Sequence, residues 1–332
     1  VRKVSRAAKA WDRGFRVLAA IGAASPAVFL VSIAAIVLVE SIPTIRFMGI
    51  HFLTETRWDM GNLYGALTHR NGITAPAGAS YGALVFIVGT LLSSIIALII
   101  AVPVSVGTAL ILAYRVRGPL GFLLNILVEL LAGIPSVVIG LWGILVLVPW
   151  IANSFAPFLK SILGFIPFFG GQTGTGYSLL ASGIVLAMMI VPIITATTRD
   201  LLEQVPVLAR EGGLGIGMTS WEVVRYIALP YIREGFIGAV ALGWGRAMGE
   251  TMAVLMVSGN ATNILPQNLY SPISTMAAFI ANQLDSAETD ASGMAVHALS
   301  ELALLLLAIT LATNLVARWL VRPRRREGVV AS

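Results

Sequence analysis

The sequence predicts an all-α polytopic membrane protein with about six transmembrane helices. Three observations carry that prediction. Of 332 residues, 57% are hydrophobic and 11% charged, with mean hydropathy +0.88, whereas a soluble domain carries about 25% charged residues. Apolar runs of bilayer-crossing length, about 20 residues, recur along the chain. The basic residues fall between those runs rather than in one patch, so the net charge of +6 points to membrane topology and not to nucleic acid.

The candidate spans are 17–39, 82–113, 120–150, 178–198, 232–258 and 295–320. The first follows the basic stretch Arg2 to Arg16, which could also open a signal peptide. Its apolar run is longer than the roughly 7–15 residues of a signal core. It leads into Glu40-Ser41-Ile42-Pro43 rather than a small-residue cleavage site, so it is read as an uncleaved span. The second and third are over-long. Pro103 marks a bend in the second, because the piece after it is too short to cross alone, and Pro135 marks a bend in the third.

A seventh candidate, 151–169, contains Pro157, Lys160 and Pro167, and a lysine at mid-helix costs about 2.5–3.5 kcal/mol to insert. The positive-inside rule arbitrates further. With six spans and both termini in the cytoplasm, the inner segments collect Arg2 to Arg16, Arg115, Arg117, Arg199, Arg210, Arg225, Arg233 and Arg318 to Arg326. The outer segments keep only Arg46, Arg57, Arg70 and Lys160. A seventh span turns the later inner charges outward, so 151–169 is assigned as an outer interfacial or re-entrant segment. Loop 259–294, without Lys or Arg but with Asp285, Glu288 and Asp290, suits the outer face.

The resulting map is a cytoplasmic basic N-terminus (1–16), a first span (17–39), an external loop (40–81), a transmembrane domain (82–320) and a cytoplasmic basic tail (321–332). The external loop is polar enough to form a small exposed structure. The transmembrane domain includes an inner loop at 199–230, and the tail suits an acidic lipid surface.

Several chemistries are excluded. There is no cysteine, hence no disulfide, thiolate metal site or cysteine nucleophile. His51, His69 and His297 are far apart and lack metal-ligand spacing. None of Lys3, Lys9 and Lys160 follows a glycine, so there is no phosphate-binding P-loop. The sequence calls for no cofactor and no metal.

The strongest local signal lies in the 199–230 loop, which is long for a connection between helices. Pro206 can open a helix, where its missing N–H is harmless. Gly217 can end it, and Thr219 or Ser220 can cap a second, amphipathic helix that enters the membrane at Pro230. The spacing Glu211…Gly217…Ile227-x-Leu229-Pro230 resembles the EAA loop of ABC importer permeases, E-A-A-x-x-x-G followed by I-x-L-P. That resemblance implies a type I importer permease (MetI-like) fold in a bacterial inner membrane. It also implies a short helix docked on a cytosolic ATPase subunit. The two alanine positions are Gly212 and Gly213 here, and Gly215 follows. Each glycine costs about 1 kcal/mol relative to alanine in a helix, so this helix is expected to fray without a partner. An ordinary connector lying on the inner leaflet is the alternative.

Further stretches resemble the C-type permease subunit of phosphate-specific ABC importers. They include Tyr81-Gly82-Ala83-Leu84, Glu129 through Gly133-Ile134-Pro135-Ser136 to Gly143, Arg246-Ala247-Met248-Gly249-Glu250-Thr251, and Ala278 to Asn282. The resemblance implies a heterodimer with an A-type permease, two ATPase subunits and an external phosphate-binding protein.

Arg246 and Glu250 stand at i and i+4 in the fifth span, within ion-pair reach if the helix is continuous. Ionisable groups inside a membrane usually line a path or pair with one another. Arg246 can offer a guanidinium fork to an oxyanion with Glu250 compensating its charge, or the two form a structural ion pair. Glu129 is an inner-rim charge, or it meets water or Arg115 and Arg117. Glu301, near the outer end of the sixth span, is read as structural. Gly133, Pro135 and Ser136 form either a gate or a packing kink.

An importer for phosphate is the function this implies, with another oxyanion or solute as the neighbouring alternative. An ion-coupled secondary transporter remains the alternative from another class. No Ser/His/Asp arrangement with helical spacing supports an intramembrane enzyme.

Overall fold

The computed structural model describes residues 6–116 and 118–320; residues 1–5, Arg117 and the expected basic tail 321–332 lie outside them. In chain order the helices are α1 (Arg6–Met48), α2 (His51–Thr54), α3 (Leu84–Tyr114), α4 (Gly118–Ala132), α5 (Ser136–Leu163) and α6 (Leu179–Glu203). They continue as α7 (Val207–Gly215), α8 (220–248), α9 (Met252–Val257), α10 (Met276–Ala287) and α11 (Met294–Leu320). Two antiparallel ribbons separate α2 from α3. One pairs β1 (Trp58–Asp59) with β4 (Ser80–Tyr81), and the other pairs β2 (Asn62–Arg70) with β3 (Ile73–Ala77).

Among the described residues, five helices, within α1, α3, α5, α6 and α11, are long and apolar enough to cross a membrane. The sixth long helix, α8, carries Arg233, Glu234 and Arg246 and is not among those five.

Helices α3 and α6 form the centre of the bundle. On α3 the residues Gly89, Ser93, Ala97, Ala101, Ser105 and Ala109 repeat every fourth position, and all are buried. That period gives one helix face with little side-chain volume, so α6 packs close to its backbone. Where lipid offers no hydrophobic drive between helices, such close packing is the main source of association. Hydrogen bonds cross the same seam. Ser105 Oγ donates to the Val191 carbonyl (3.1 Å) and Tyr114 Oη to the Leu202 carbonyl (3.1 Å). Trp244 Nε1 on α8 donates to Ser94 Oγ (3.0 Å).

Proline is handled in two ways. Pro103 and Pro192 lie inside continuous α3 and α6. Three others each follow a single widened π turn. Val148 N–H reaches the Gly143 carbonyl, Ala156 N–H that of Ile151, and Leu229 N–H that of Val224. The next residues are Pro149, Pro157 and Pro230. The extra residue relaxes the turn in which a proline ring strikes the carbonyl four positions back.

The third candidate span is corrected by this arrangement. The chain breaks at 133–135 into the short helix α4 and the long helix α5, rather than bending once within 120–150. Residues 151–163, expected to be a separate interfacial segment, continue α5 through a π turn. Pro157, Lys160 and Pro167 argue against a helix there in sequence, and the π turn ahead of Pro157 leaves no mark in the periodicity. The fifth span is corrected too: α8 stops at Met248, and α9 restarts at Met252.

At the end of the bundle away from the 199–230 loop, aromatic packing joins the ribbons to the helices. Trp58 meets the rings of Tyr81, Phe86 and Phe279 edge-on, and Phe86 stacks on Phe279 with centroids 3.9 Å apart. Burial pushes the Tyr81 phenol above its ordinary range. Asn263 reaches into this cluster, accepting from Trp58 N–H and donating to its carbonyl. The first helix joins the bundle at the same end, where His297 Nδ1 on α11 lies 2.9 Å from the Glu40 carbonyl and 3.1 Å from its carboxylate.

The small-residue face of α3 gives a direct test. Ala101→Leu is expected to destabilise the chain by about 1–3 kcal/mol through overpacking. Ile99→Leu, at a position 68% exposed, should leave thermal unfolding in detergent unchanged.

Candidate functional site

The 199–230 loop is ordered by its own termini. Pro206, with φ −55°, precedes the first turn of α7. At the far end Gly217 takes φ +91°. Its N–H donates to the Leu214 carbonyl (3.0 Å), and Met218 N–H donates to that of Gly213 (3.1 Å). This double closure satisfies carbonyls that a helix end otherwise leaves open. Thr219 then caps α8. Its Oγ1 accepts from Glu222 N–H (3.2 Å), and Glu222 Oε2 accepts from Thr219 N–H (2.7 Å). The Thr219 backbone and hydroxyl hydrogen bonds hold the Glu222 carboxyl below its ordinary range.

The glycines of α7 differ in what surrounds them. Gly213 is buried, and a Cβ there would lie 2.7 Å from Ile227 Cδ1 and 3.1 Å from Val223 Cγ2. Around Gly212 and Gly215 the space is open. Only Gly213 therefore lets α7 settle on α8. Ile227 and Leu229 continue this contact into a cluster with buried Ala109, Leu202, Val205, Ala228 and Ile232. Arg210 lies over the Tyr114 ring with its guanidinium carbon 4.2 Å from the centroid, adding an attachment to α3. The loop is thus fixed to α3, α6 and α8. Its free side presents Glu211 together with Leu208 and Ile216, which are 84% and 77% exposed.

A second cluster was only partly visible in the sequence. Arg199, near the end of α6, has a side chain 15% exposed. Its nitrogens lie 2.8 Å from Asp200, 3.8 Å from Glu203 and 3.9 Å from Glu129 of α4. Glu129 therefore faces Arg199 rather than Arg115. The Arg199–Glu203 pair has the readable i, i+4 spacing, while the α4 contact depends on the unforeseen break at 133–135.

The expected Arg246–Glu250 pairing is also corrected. Glu250 lies beyond the end of α8, and its Oε1 accepts from Ala253 N–H (3.3 Å) at the start of α9. The two are not joined by an ion pair among the described residues, and Arg246 is exposed on the bundle surface. The i, i+4 argument requires a continuous helix, which ends here at Met248.

Gly133, Pro135 and Ser136 occupy the other break. Gly133 and Pro135 are exposed, and Pro135 has φ −59° and ψ 137°. The two breaks are neighbours, because α5 and α9 begin just after them and pack together. A Cβ on Gly140 would lie 2.6 Å from Met256 Sδ and 3.1 Å from Ala253 Cα. The structure thus brings 133–136 and 249–251 into one zone of interrupted helix. No group of three or more His, Asp or Glu residues suited to a metal ion occurs among the described residues.

Residues 101–326 match the family model of the binding-protein-dependent transport system inner membrane component. The chain belongs to this family. A relative from Mycobacterium tuberculosis, phosphate transport system permease protein PstC 1, is 50% identical over 310 residues, covering 92% of each chain. The Haemophilus influenzae phosphate transport system permease protein PstC is 38% identical over 298 residues, covering 89% of this chain and 88% of its own. A bacterial ABC transporter involved in the import of the acidic polysaccharide alginate aligns with TM-score 0.49 and 16% identity, over 70% of this chain and 78% of that one. Family membership makes this chain a multi-span transport permease, in place of the ion-coupled and enzymatic alternatives.

The two adjacent glycines of α7 separate packing from helix propensity. Gly212→Ala should stabilise α7 by up to about 1 kcal/mol. Gly213→Val should displace α7 from Ile227 and expose it. Limited proteolysis of the loop reads both: slower cleavage for the first variant and faster for the second.

Proposed function

We propose that this permease forms half of the translocation path for inorganic phosphate in an ATP-driven importer. Its partners are an A-type permease, two cytosolic ATPase subunits and an external phosphate-binding protein. The observation that carries the reading is the 50% identity, over 92% of both chains, to a phosphate transport system permease. The distribution of basic residues supports an orientation with both termini and the 199–230 loop in the cytoplasm.

In that orientation α7 is the part an ATPase meets. A helix of nine residues has little stability alone, but this one is closed at its C-terminus and seated at Gly213. A push on Leu208 or Ile216 is then passed through Ile227 and Leu229 to α3, α6 and α8 instead of being absorbed by a loose loop. ATP hydrolysis belongs to the separate ATPase subunits, since this chain has no P-loop.

Arg246 is the residue assigned to the path. It is exposed, has no carboxylate partner at Glu250, and lies in the last turn of α8. A guanidinium turned to lipid is costly, so this face suits either the water-filled path or the partner permease. The flat fork matches two phosphate oxygens. The interruptions at 133–135 and 249–251 place irregular backbone in the same zone, which a membrane tolerates only where protein or water covers it.

The test is uptake of labelled phosphate by the reconstituted importer, with ATP and binding protein present and sulfate or molybdate as competitors. Arg246→Ala should abolish uptake while the complex still assembles, and Arg246→Lys should restore only part of it. Normal uptake by a well-assembled Arg246→Ala importer would remove Arg246 from the path. Preferred uptake of sulfate or molybdate would overturn the substrate. Leu208→Asp should reduce the ATPase retained on purification several-fold.

A further inference from the structure

We propose that a groove between α3 and the start of α8, beside α7, binds an anionic phospholipid. Two cavities of about 470 and 560 Å³ share Gly107, Leu110 and Trp221 in their linings and so adjoin on the bundle surface. Along α3 they extend from Val102 to Arg115, about 20 Å at 1.5 Å per residue.

The lining changes character along that length. At the loop end, Arg115 and Arg210 stand beside Ser220 and the indole of Trp221. Further along, the walls are Val102, Pro103, Val106, Leu229, Ile232 and Phe236, with Arg233 beside them. Among the described residues, no carboxylate lines either part. A basic, hydrogen-bonding mouth leading into an apolar trough matches a phosphate headgroup followed by acyl chains. Its depth matches as well. Arg115 lies just past the end of α3, where a membrane-spanning helix meets the headgroups, and Trp221, 61% exposed, suits the same interface.

Gly107 gives the trough its concavity, since a Cβ there would have nothing within 4 Å. Arg210 is held against Tyr114 by its ring contact, so the mouth is organised before any lipid arrives. A headgroup there would touch α7 and α3 together and brace the loop against the membrane. The inference requires only that the bundle is embedded in a bilayer and is independent of which solute the importer carries.

The experiment uses the full chain co-expressed with its partner subunits and reconstituted in nanodiscs of equal phosphatidylglycerol and phosphatidylcholine. After extraction, native mass spectrometry counts the lipids retained per complex. Phosphatidylglycerol should be retained preferentially by the wild type. Retention should fall several-fold in Arg115→Gln combined with Gly107→Leu, which removes a headgroup contact and fills the trough. Arg57→Gln, at the opposite end of the bundle, should change nothing. Should the double variant assemble poorly, Arg115→Gln alone carries the test, at an exposed position past the helix end.

Equal retention of both lipids by the wild type overturns the proposal, as does unchanged phosphatidylglycerol in the Arg115 variant. Cross-linking from a photoreactive residue at position 107 distinguishes other occupants. Adducts with phosphatidylglycerol support the groove, and adducts with the partner permease overturn it. Displacement of phosphatidylglycerol by millimolar inorganic phosphate alone would show a simple anion site and overturn it too.

Discussion

Within a bilayer every backbone N–H and C=O must find its partner inside the protein, and the architecture follows from how this chain meets that demand. Continuous helices meet it without further help. Prolines threaten it, and the chain answers with π turns ahead of Pro149, Pro157 and Pro230 while letting α3 and α6 run through Pro103 and Pro192. Where the helices do stop, at 133–135 and 249–251, a side chain or a short turn takes over. Gly133 N–H reaches the Leu130 carbonyl at 3.0 Å, and Glu250 accepts the Ala253 N–H. Both interruptions lie beside the same α5–α9 packing. The breaks ahead of α5 and of α9 therefore lie side by side.

Those breaks explain which parts of the fold were legible in the sequence. Long apolar runs located α3, α6 and α11 because nothing interrupts their helical hydrogen bonding strongly enough to change register. The third and fifth spans were misplaced at their breaks. Pro157 looks like a helix terminator in sequence, and the π turn that accommodates it depends on the conformation of the preceding turn. Glu250 looked like an ion-pair partner because a four-residue spacing assumes an unbroken helix. The two differences have opposite origins: the Glu250 spacing fails because the helix stops, whereas 151–163 differ because the helix continues through its prolines.

The loop was legible for the opposite reason. Its signals are local chemistry at helix ends, namely Pro206, Gly217 and Thr219, and these act within a few residues of themselves. The meaning of its glycines was not legible. By propensity Gly212, Gly213 and Gly215 all weaken α7, yet Gly213 faces Ile227 and Val223 while the other two face open space. Packing thus reverses the sign of the argument at one position of the three. Similarly, Arg199 and Glu203 can be paired from the sequence, but Glu129 joins them only because α4 is a separate helix lying against α6.

Stiffness at the loop and interruption within the bundle are complementary. In the proposed importer, a motion begun at α7 would have no slack to lose at Gly213 or at the Thr219–Glu222 cap, so it would enter α8 at its first turn. It would then meet the π turn at Val224–Ala228, where an i to i+5 bond has replaced the tighter pattern, and continue to the end of α8 at Met248. Arg246 sits in that last turn, immediately before the interruption. In the proposed importer, a rigid input at one end of α8 and a broken helix at the other would make the Arg246 zone the place for displacement to appear. The Arg199 cluster binds α6 to α4 at the input end, so the segment leading to the second interruption is tied to the same rigid base.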